Sequence, residues 1–316
     1  MTSYQPDLRT KIGTLELKNP VIAASGTFGY GQEFNSLIDL NLLGAVIVKG
    51  ISFKPRPGNP PPRIVETPCG MLNAIGLANI GLDEFIKEKL PFFDKTDTNV
   101  IVNIYGHNIE EYGELADALN NVDGVSALEV NISCPNVECG GMAFGTDPDV
   151  SARVTEKVVK NTDKPVIVKL SPNVTDIRPI AQAAENAGAH AISLINTLTG
   201  MAIDVESRSP KLANISGGLS GPAIRPVAVH MVYQAVESVD IPVIGVGGIM
   251  DYRDALEFLI AGASAIQVGT ANFVNPGSTI DIINGIRSFC LEKGIERISE
   301  LIGSLKVDCL KENKSR

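Results

Sequence analysis

The 316 residues carry 44% hydrophobic and 20% charged side chains, enough apolar matter for a large core, which excludes a disordered or fibrous chain. Lys and Arg number 27 against 36 Asp and Glu, a formal net charge of −9, so no surface for nucleic acid or an anionic membrane is expected. A local basic pocket remains compatible with that charge. At about 150 residues per domain the length suggests two domains, an expectation that one α/β barrel of about 250 residues would override.

The start, MTSYQPDLRTKIG, has no apolar segment of the export type. No apolar run approaches about 18 residues, so neither export nor a membrane span is expected and the cytoplasm is the expected compartment. Short β-branched runs bounded by Gly, Pro or Asn then recur along the chain, the look of strands buried on both faces. They are NPVIAAS (19–25), GAVIVKG (44–50), NVIVNIYG (99–106), ALEVNISC (127–134), KPVIVKLS (164–171), AHAISLINT (189–197), IPVIGVGGI (241–249) and AIQVGTA (265–271). Stretches of helical period separate them, among them 109–122, 151–161, 175–188 and 250–262, with Gly188 and Gly262 fitting positions just past a helix end. Eight strands alternating with helices imply parallel pairing and a closed (β/α)8 TIM barrel, one domain over residues 1–316. The alternative is an open doubly wound sheet, but its G-x-G-x-x-G fingerprint is missing after the first strand, which reads ASGTFGYG. Two segments exceed an ordinary βα loop, 51–82 and 198–221; both follow strand C-termini, where long loops line or cover a site.

The five cysteines (Cys69, Cys134, Cys139, Cys290, Cys309) are irregularly spaced and include no C-x-x-C pair. Neither a zinc site nor an iron–sulfur site is expected from them, and a disulfide scaffold is not expected at this size, so the binding set includes no metal.

A barrel gathers its strand ends into one ring. Those ends carry Ser25, Lys49-Gly50, Asn103, Asn131 with Cys134, Lys169, Asn196-Thr197, Gly247-Gly248 and Gly269-Thr270. Two lysines and three asparagines suit an anionic ligand with amide or imide edges. Each has a plainer reading, since a lysine after a strand is commonly solvated at the rim and an asparagine there is commonly a turn former. Lys169, inside VIVKLS, must aim inward or upward. Gly247-Gly248, the helix starting at Asp251, Gly269-Thr270 and Gly221 of ISGGLSG could together hold a phosphate, although glycines after a strand also serve tight turns. Cys134, in NISCPN before the polar segment 135–145, is either inert packing or a thiolate base over a cation-rich pocket. Cys139 is a weaker second, and none of His107, His190 and His230 forms a triad with a serine. His107 reads as a helix cap or surface residue.

NPVIAASGTFGYG, VKGIS, NAIGLAN, VNISCPN, VIVKLSPN, INT, GVGGI and VGTA together resemble, in order and over nearly the whole chain, the catalytic subunit of class 1 dihydroorotate dehydrogenases. ASGTFGYG and the cysteine of NISCPN are closer to the NAD-linked 1B type than to the fumarate-linked 1A type. The resemblance implies an FMN barrel that oxidises (S)-dihydroorotate to orotate in pyrimidine (UMP) synthesis. Cys134 would take the C5 proton while hydride leaves C6 for the flavin. It implies Lys49, Asn73, Asn131, Asn136, Asn196 and Thr197, with the 73–77 stretch (Asn73, Ala74, Ile75, Gly76, Leu77), as the orotate contacts. FMN would lie against Ser25, Lys49, Gly50, Asn103, Asn131, Lys169 and Ile195, its phosphate on Gly221, Gly247, Gly248, Gly269 and Thr270. With the barrel absorbing the chain, FAD, a [2Fe–2S] cluster and the nicotinamide site are expected on an electron-transfer partner, in a heterotetramer of two catalytic and two electron-transfer subunits. The rival readings are the fumarate-dependent 1A enzyme and a flavin barrel acting on tRNA uridine, the latter disfavoured by the acidic charge.

Overall fold

All eight apolar runs become strands: β1 (Val21–Ala23), β2 (Ala45–Ile51), β3 (Asn99–Ile104), β4 (Ala127–Asn131), β5 (Val166–Lys169), β6 (Ala191–Leu194), β7 (Val243–Val246) and β8 (Ala265–Val268). In this computed structural model, which describes residues 5–133 and 144–307, each strand pairs in parallel with the next and β8 pairs with β1. The result is a closed (β/α)8 barrel. Helices Ile109–Asn120, Pro148–Val159, Arg178–Asn186 and Tyr252–Ile260 fall within or close to the expected helical stretches, joined by Arg225–Val236 and Ser278–Lys293. No helix among the described residues is long and apolar enough to cross a membrane.

Because side chains alternate across a strand, every second residue points into the barrel and the register sorts these into layers contributed by alternate strands. The lowest layer is four alanines from the even strands, Ala45, Ala127, Ala191 and Ala265. Above it lie four isoleucines from the odd strands, Ile22, Ile101, Ile167 and Ile244; all eight are fully buried in one interior cluster with Ile47. Small residues below and branched ones above fill the taper without a channel. The third layer is Ile47, Glu129, Ser193 and Gln267, and the fourth is Ala24, Asn103, Lys169 and Val246, so the interior turns polar toward the C-terminal face.

An antiparallel hairpin, Thr10–Ile12 with Leu15–Leu17, closes the bottom by inserting Ile12 and Leu17 into the same cluster. His190 belongs to this end, its Nδ1 accepting the Val166 N–H at 3.1 Å. At the opposite end the two long segments are not irregular loops. They pair into a four-stranded antiparallel sheet in the order Leu198–Met201, Ser216–Ser220, Gly70–Asn73, Ile64–Thr67, with a small core of Leu72, Ala74 and Leu212.

Candidate active site

A cavity of about 870 Å³ opens at the C-terminal face. Its floor is the fourth layer, Ala24, Asn103, Lys169 and Val246. The next inward positions, Lys49, Asn131, Ile195 and Gly269, begin its wall. The antiparallel sheet forms one side through Ile64, Met71, Asn73, Thr199 and the 216–220 strand. Every described residue expected at the site lines this one cavity: Ser25, Lys49, Gly50, Asn73, Ala74, Ile75, Gly76, Leu77, Asn103, Asn131, Lys169, Ile195, Asn196, Thr197, Gly221, Gly247, Gly248, Gly269 and Thr270. Cys134 and Asn136, and with them Cys139, lie outside the described residues.

Three cations reach the cavity, Lys49, Arg56 and Lys169, and no carboxylate is among its described lining residues. Burial, and secondarily the charge of Arg63, push the Lys49 ammonium below the ordinary lysine value. Asn196 donates from Nδ2 to Ser133 Oγ at 3.1 Å and to Asn131 Oδ1 at 3.4 Å, and its Oδ1 accepts the Thr197 N–H at 2.8 Å. The amides at the ends of β4 and β6 are thus coupled and point to one place. The 73–77 turn is held from behind. Leu77 sits at φ 58, a conformation a bulky side chain avoids, while its carbonyl accepts from Tyr105 OH and Asn79 Nδ2, each at 2.9 Å.

On the strand neighbouring β6, Gly247 (φ 133) and Gly248 (φ 71) turn the chain after β7 through conformations that favour glycine. Among the described residues their N–H groups donate to no acceptor, leaving two backbone donors at the cavity wall. The following helix offers less than the sequence suggested. Asp251 caps it by accepting the Arg253 and Asp254 N–H groups, while the Asp254 carboxylate takes those of Met250 and Asp251 and pairs with Arg225. The N–H groups of Met250, Asp251, Arg253 and Asp254 at its start are thus used internally. On the adjacent strand, the Thr270 hydroxyl donates to Ser220 Oγ at 2.8 Å, tying the end of β8 to the antiparallel sheet.

The profile of the dihydroorotate dehydrogenase family matches residues 7–290, most of the chain. The chain belongs to that family. Similar proteins carry the name "Dihydroorotate dehydrogenase B (NAD(+)), catalytic subunit". One from Geotalea daltonii is 59% identical over 303 residues, covering 96% of this chain and 99% of its own length. One from Thermoanaerobacter is 56% identical over 302 residues, 96% and 100% respectively, and one from Desulforamulus reducens is 59% identical over 298 residues, 94% and 98%.

The dihydroorotate dehydrogenase barrel also places at or beneath the cavity residues outside the expected binding set. His107 does not cap its helix, because Asn108 does; it is half exposed at the cavity rim, with Nδ1 2.8 Å from Glu111 Oε2 and Nε2 3.0 Å from Arg56 Nη1. Beneath the floor, Glu129, Ser193 and Gln267 form a buried polar set. Their signal in the sequence is a single polar residue at the centre of each apolar run, LEV, ISL and IQV, which a strand buried on both faces tolerates only when paired. The glycines of ISGGLSG have a packing reason. A Cβ on Gly218 would stand 2.0 Å from Thr197 Oγ1. Gly218→Ala is therefore expected to force the Thr197 side chain aside and to destabilise the fold by about 1–3 kcal/mol, as read from the urea midpoint.

Proposed function

We propose that this chain is the FMN-binding catalytic subunit of an NAD-linked dihydroorotate dehydrogenase, oxidising (S)-dihydroorotate to orotate. The observation that carries this reading is the cavity itself. In a protein of net charge −9 it collects Lys49, Arg56 and Lys169 without a described carboxylate in its lining, adds coupled asparagine amides, and ends on glycine N–H groups that have no acceptor among the described residues. A small planar anion with imide edges and a phosphate-bearing cofactor are the two ligands such a lining suits.

The lining fits FMN on three counts. The N–H groups of Gly247 and Gly248, which have no acceptor among the described residues, suit phosphate oxygens. The space over Gly269 is open, the nearest atom to a Cβ there being Ala24 Cβ at 3.9 Å. Lys169 lies in the floor, only 7% exposed, where a cation favours a ring that gains negative charge. When bound, FMN supplies the hydride acceptor for the substrate C6 position. The chain supplies the rest. Lys49 holds the substrate carboxylate, Asn73, Asn131, Asn136 and Asn196 hold the ring edges beside Thr197, the 73–77 backbone shapes that side, and Cys134 removes the C5 proton. Electrons leave through a partner subunit carrying FAD and a [2Fe–2S] cluster, in a tetramer of two subunits of each kind; the relatives' designation as catalytic subunits of an NAD(+) enzyme supports a separate partner.

The test is the visible spectrum of the purified protein followed by anaerobic addition of dihydroorotate. A yellow protein that bleaches is expected, and a colourless or unresponsive one overturns the reading. Fumarate reduction by the chain alone would instead favour the 1A type.

Lys49 gives the reading a pH signature. Substrate capture needs the ammonium charged, and burial moves its loss of charge below the ordinary 10.5. The alkaline limb of kcat/KM, which reports free-enzyme groups, is expected to begin below that value and to vanish in Lys49→Met. At neutral pH the variant should lose roughly 10–100-fold in kcat/KM, the worth of one charged hydrogen bond. For stability the sign is the reverse. Between the lowered folded value and the unfolded one the unfolded chain binds more protons, so raising the pH through that window relieves the burial cost at Lys49.

A further inference from the structure

Glu129 is fully buried in the third interior layer, directly under the cavity floor. Four side chains from four other strands converge on its carboxylate. Oε1 accepts from Asn103 Nδ2 at 2.7 Å and lies 3.5 Å from Lys169 Nζ. Oε2 accepts from Ser193 Oγ at 2.9 Å and from Gln267 Nε2 at 2.6 Å. Every one of these partners presents a donor, which is what an ionised, acceptor-only carboxylate takes. Two of them, Asn103 and Lys169, are themselves cavity floor.

We infer that Glu129 is a positioning residue for the cofactor seat: it fixes Lys169 and Asn103 from below, and its charge sets how strongly the floor favours the reduced flavin. The inference rests on the flavin reading above. An apolar interior would fill this layer at lower cost, since a buried ion pair is seldom more stable than a well-packed hydrophobic replacement. The two layers below it are filled by alanine and isoleucine, so the barrel packs apolar residues where nothing polar is needed. With Glu129 in place, Lys169 meets the cavity as one half of a neutral pair. Without it, an uncompensated cation would stand beneath a ring that becomes negative on reduction.

Glu129→Gln keeps the shape and removes the charge. The reduced-to-oxidised ratio of the bound flavin, equilibrated anaerobically against a reference dye at pH 6, is expected to rise roughly tenfold. For a two-electron couple that is about 30 mV upward. The exchange Glu129→Gln with Gln267→Glu returns one carboxylate to the same cluster, because the Gln267 side chain already reaches to 3.5 Å from Lys169 Nζ. This double variant should lie within about threefold of wild type. A structural role alone would lower the melting temperature of both variants without making the ratio follow the charge. A Glu129→Gln protein whose flavin titrates together with wild type overturns the inference, as does one whose ratio falls. If that variant does not accumulate folded, the exchanged protein decides, and a ratio shifted by tenfold there is the adverse result. A wild-type protein that holds no flavin is a different failure, that of the functional reading itself.

Discussion

Replacing Cys134 by alanine should slow flavin reduction by dihydroorotate roughly 10²–10⁴-fold, the usual contribution of a positioned general base, while flavin content stays at the wild-type level. Elimination among the other lining groups supports the expectation. A base for the C5 proton must be near neutrality in pKa and within reach of the substrate. No Asp or Glu belongs to the described lining, Lys49, Arg56 and Lys169 are cations, and the hydroxyls of Ser25, Ser133 and Thr197 give up a proton far less readily than a thiol. His107 is the one imidazole at the rim, and both its nitrogens are engaged, by Glu111 and Arg56. In the sequence Cys134 follows Ser133, a cavity-lining residue hydrogen-bonded to Asn196.

Single-turnover bleaching in a stopped-flow instrument separates these candidates. Cys134→Ala should be slow at saturating dihydroorotate, and Cys134→Ser slow at neutral pH but recovering as the pH rises. His107→Gln should reduce its flavin within a few-fold of wild type. Rapid bleaching of Cys134→Ala together with slow bleaching of His107→Gln would transfer the base to the imidazole. The pH direction follows from the thiol: more thiolate at higher pH gives faster reduction in wild type at saturating dihydroorotate.

The order of strands was legible because a strand covered on both faces must be apolar along its whole length, and all eight runs of this kind formed the barrel. The ring of polar residues at their ends was legible for the same reason: a residue such as Asn131 or Lys169 interrupts an apolar run where the strand meets the cavity. Three features had no such mark. Thr10–Ile12 and Leu15–Leu17 are three residues each and show too few alternations to announce a hairpin. The antiparallel sheet joins Asn73 to Gly218 across 145 positions through strands rich in glycine, and nothing local in ETPCGMLN specifies that partner. The third is the role of Glu129. One carboxylate in an apolar run signals that partners exist, but Ser193 and Gln267 are brought to it only by closure of the barrel. The inward or upward aim of Lys169 was legible in VIVKLS, whereas its partner was not.

That partnership makes Lys169→Met the variant expected to cost most in stability. Its ammonium borders the cavity, whereas the Glu129 carboxylate below is fully buried. Removing the lysine leaves an anion with no access to water and only neutral donors from Asn103, Ser193 and Gln267. Breaking a buried pair from one side typically costs about 3–5 kcal/mol, because the charge left behind keeps its desolvation penalty. The apoprotein of Lys169→Met should therefore unfold at a markedly lower urea midpoint. Glu129→Gln alone should cost less, since the ammonium it leaves unpaired can still meet solvent or ligand at the cavity floor. Adding Glu129→Gln to Lys169→Met should recover part of the loss, with a coupling of roughly 1–3 kcal/mol in the double-mutant cycle. Additive losses would mean that the 3.5 Å separation between Nζ and Oε1 carries no net interaction. On the flavin the two single substitutions should act in opposite directions, Lys169→Met disfavouring the reduced form and Glu129→Gln favouring it. Loss of packing at either position would not produce that opposition, because the two substitutions change the sign of the local field in opposite ways.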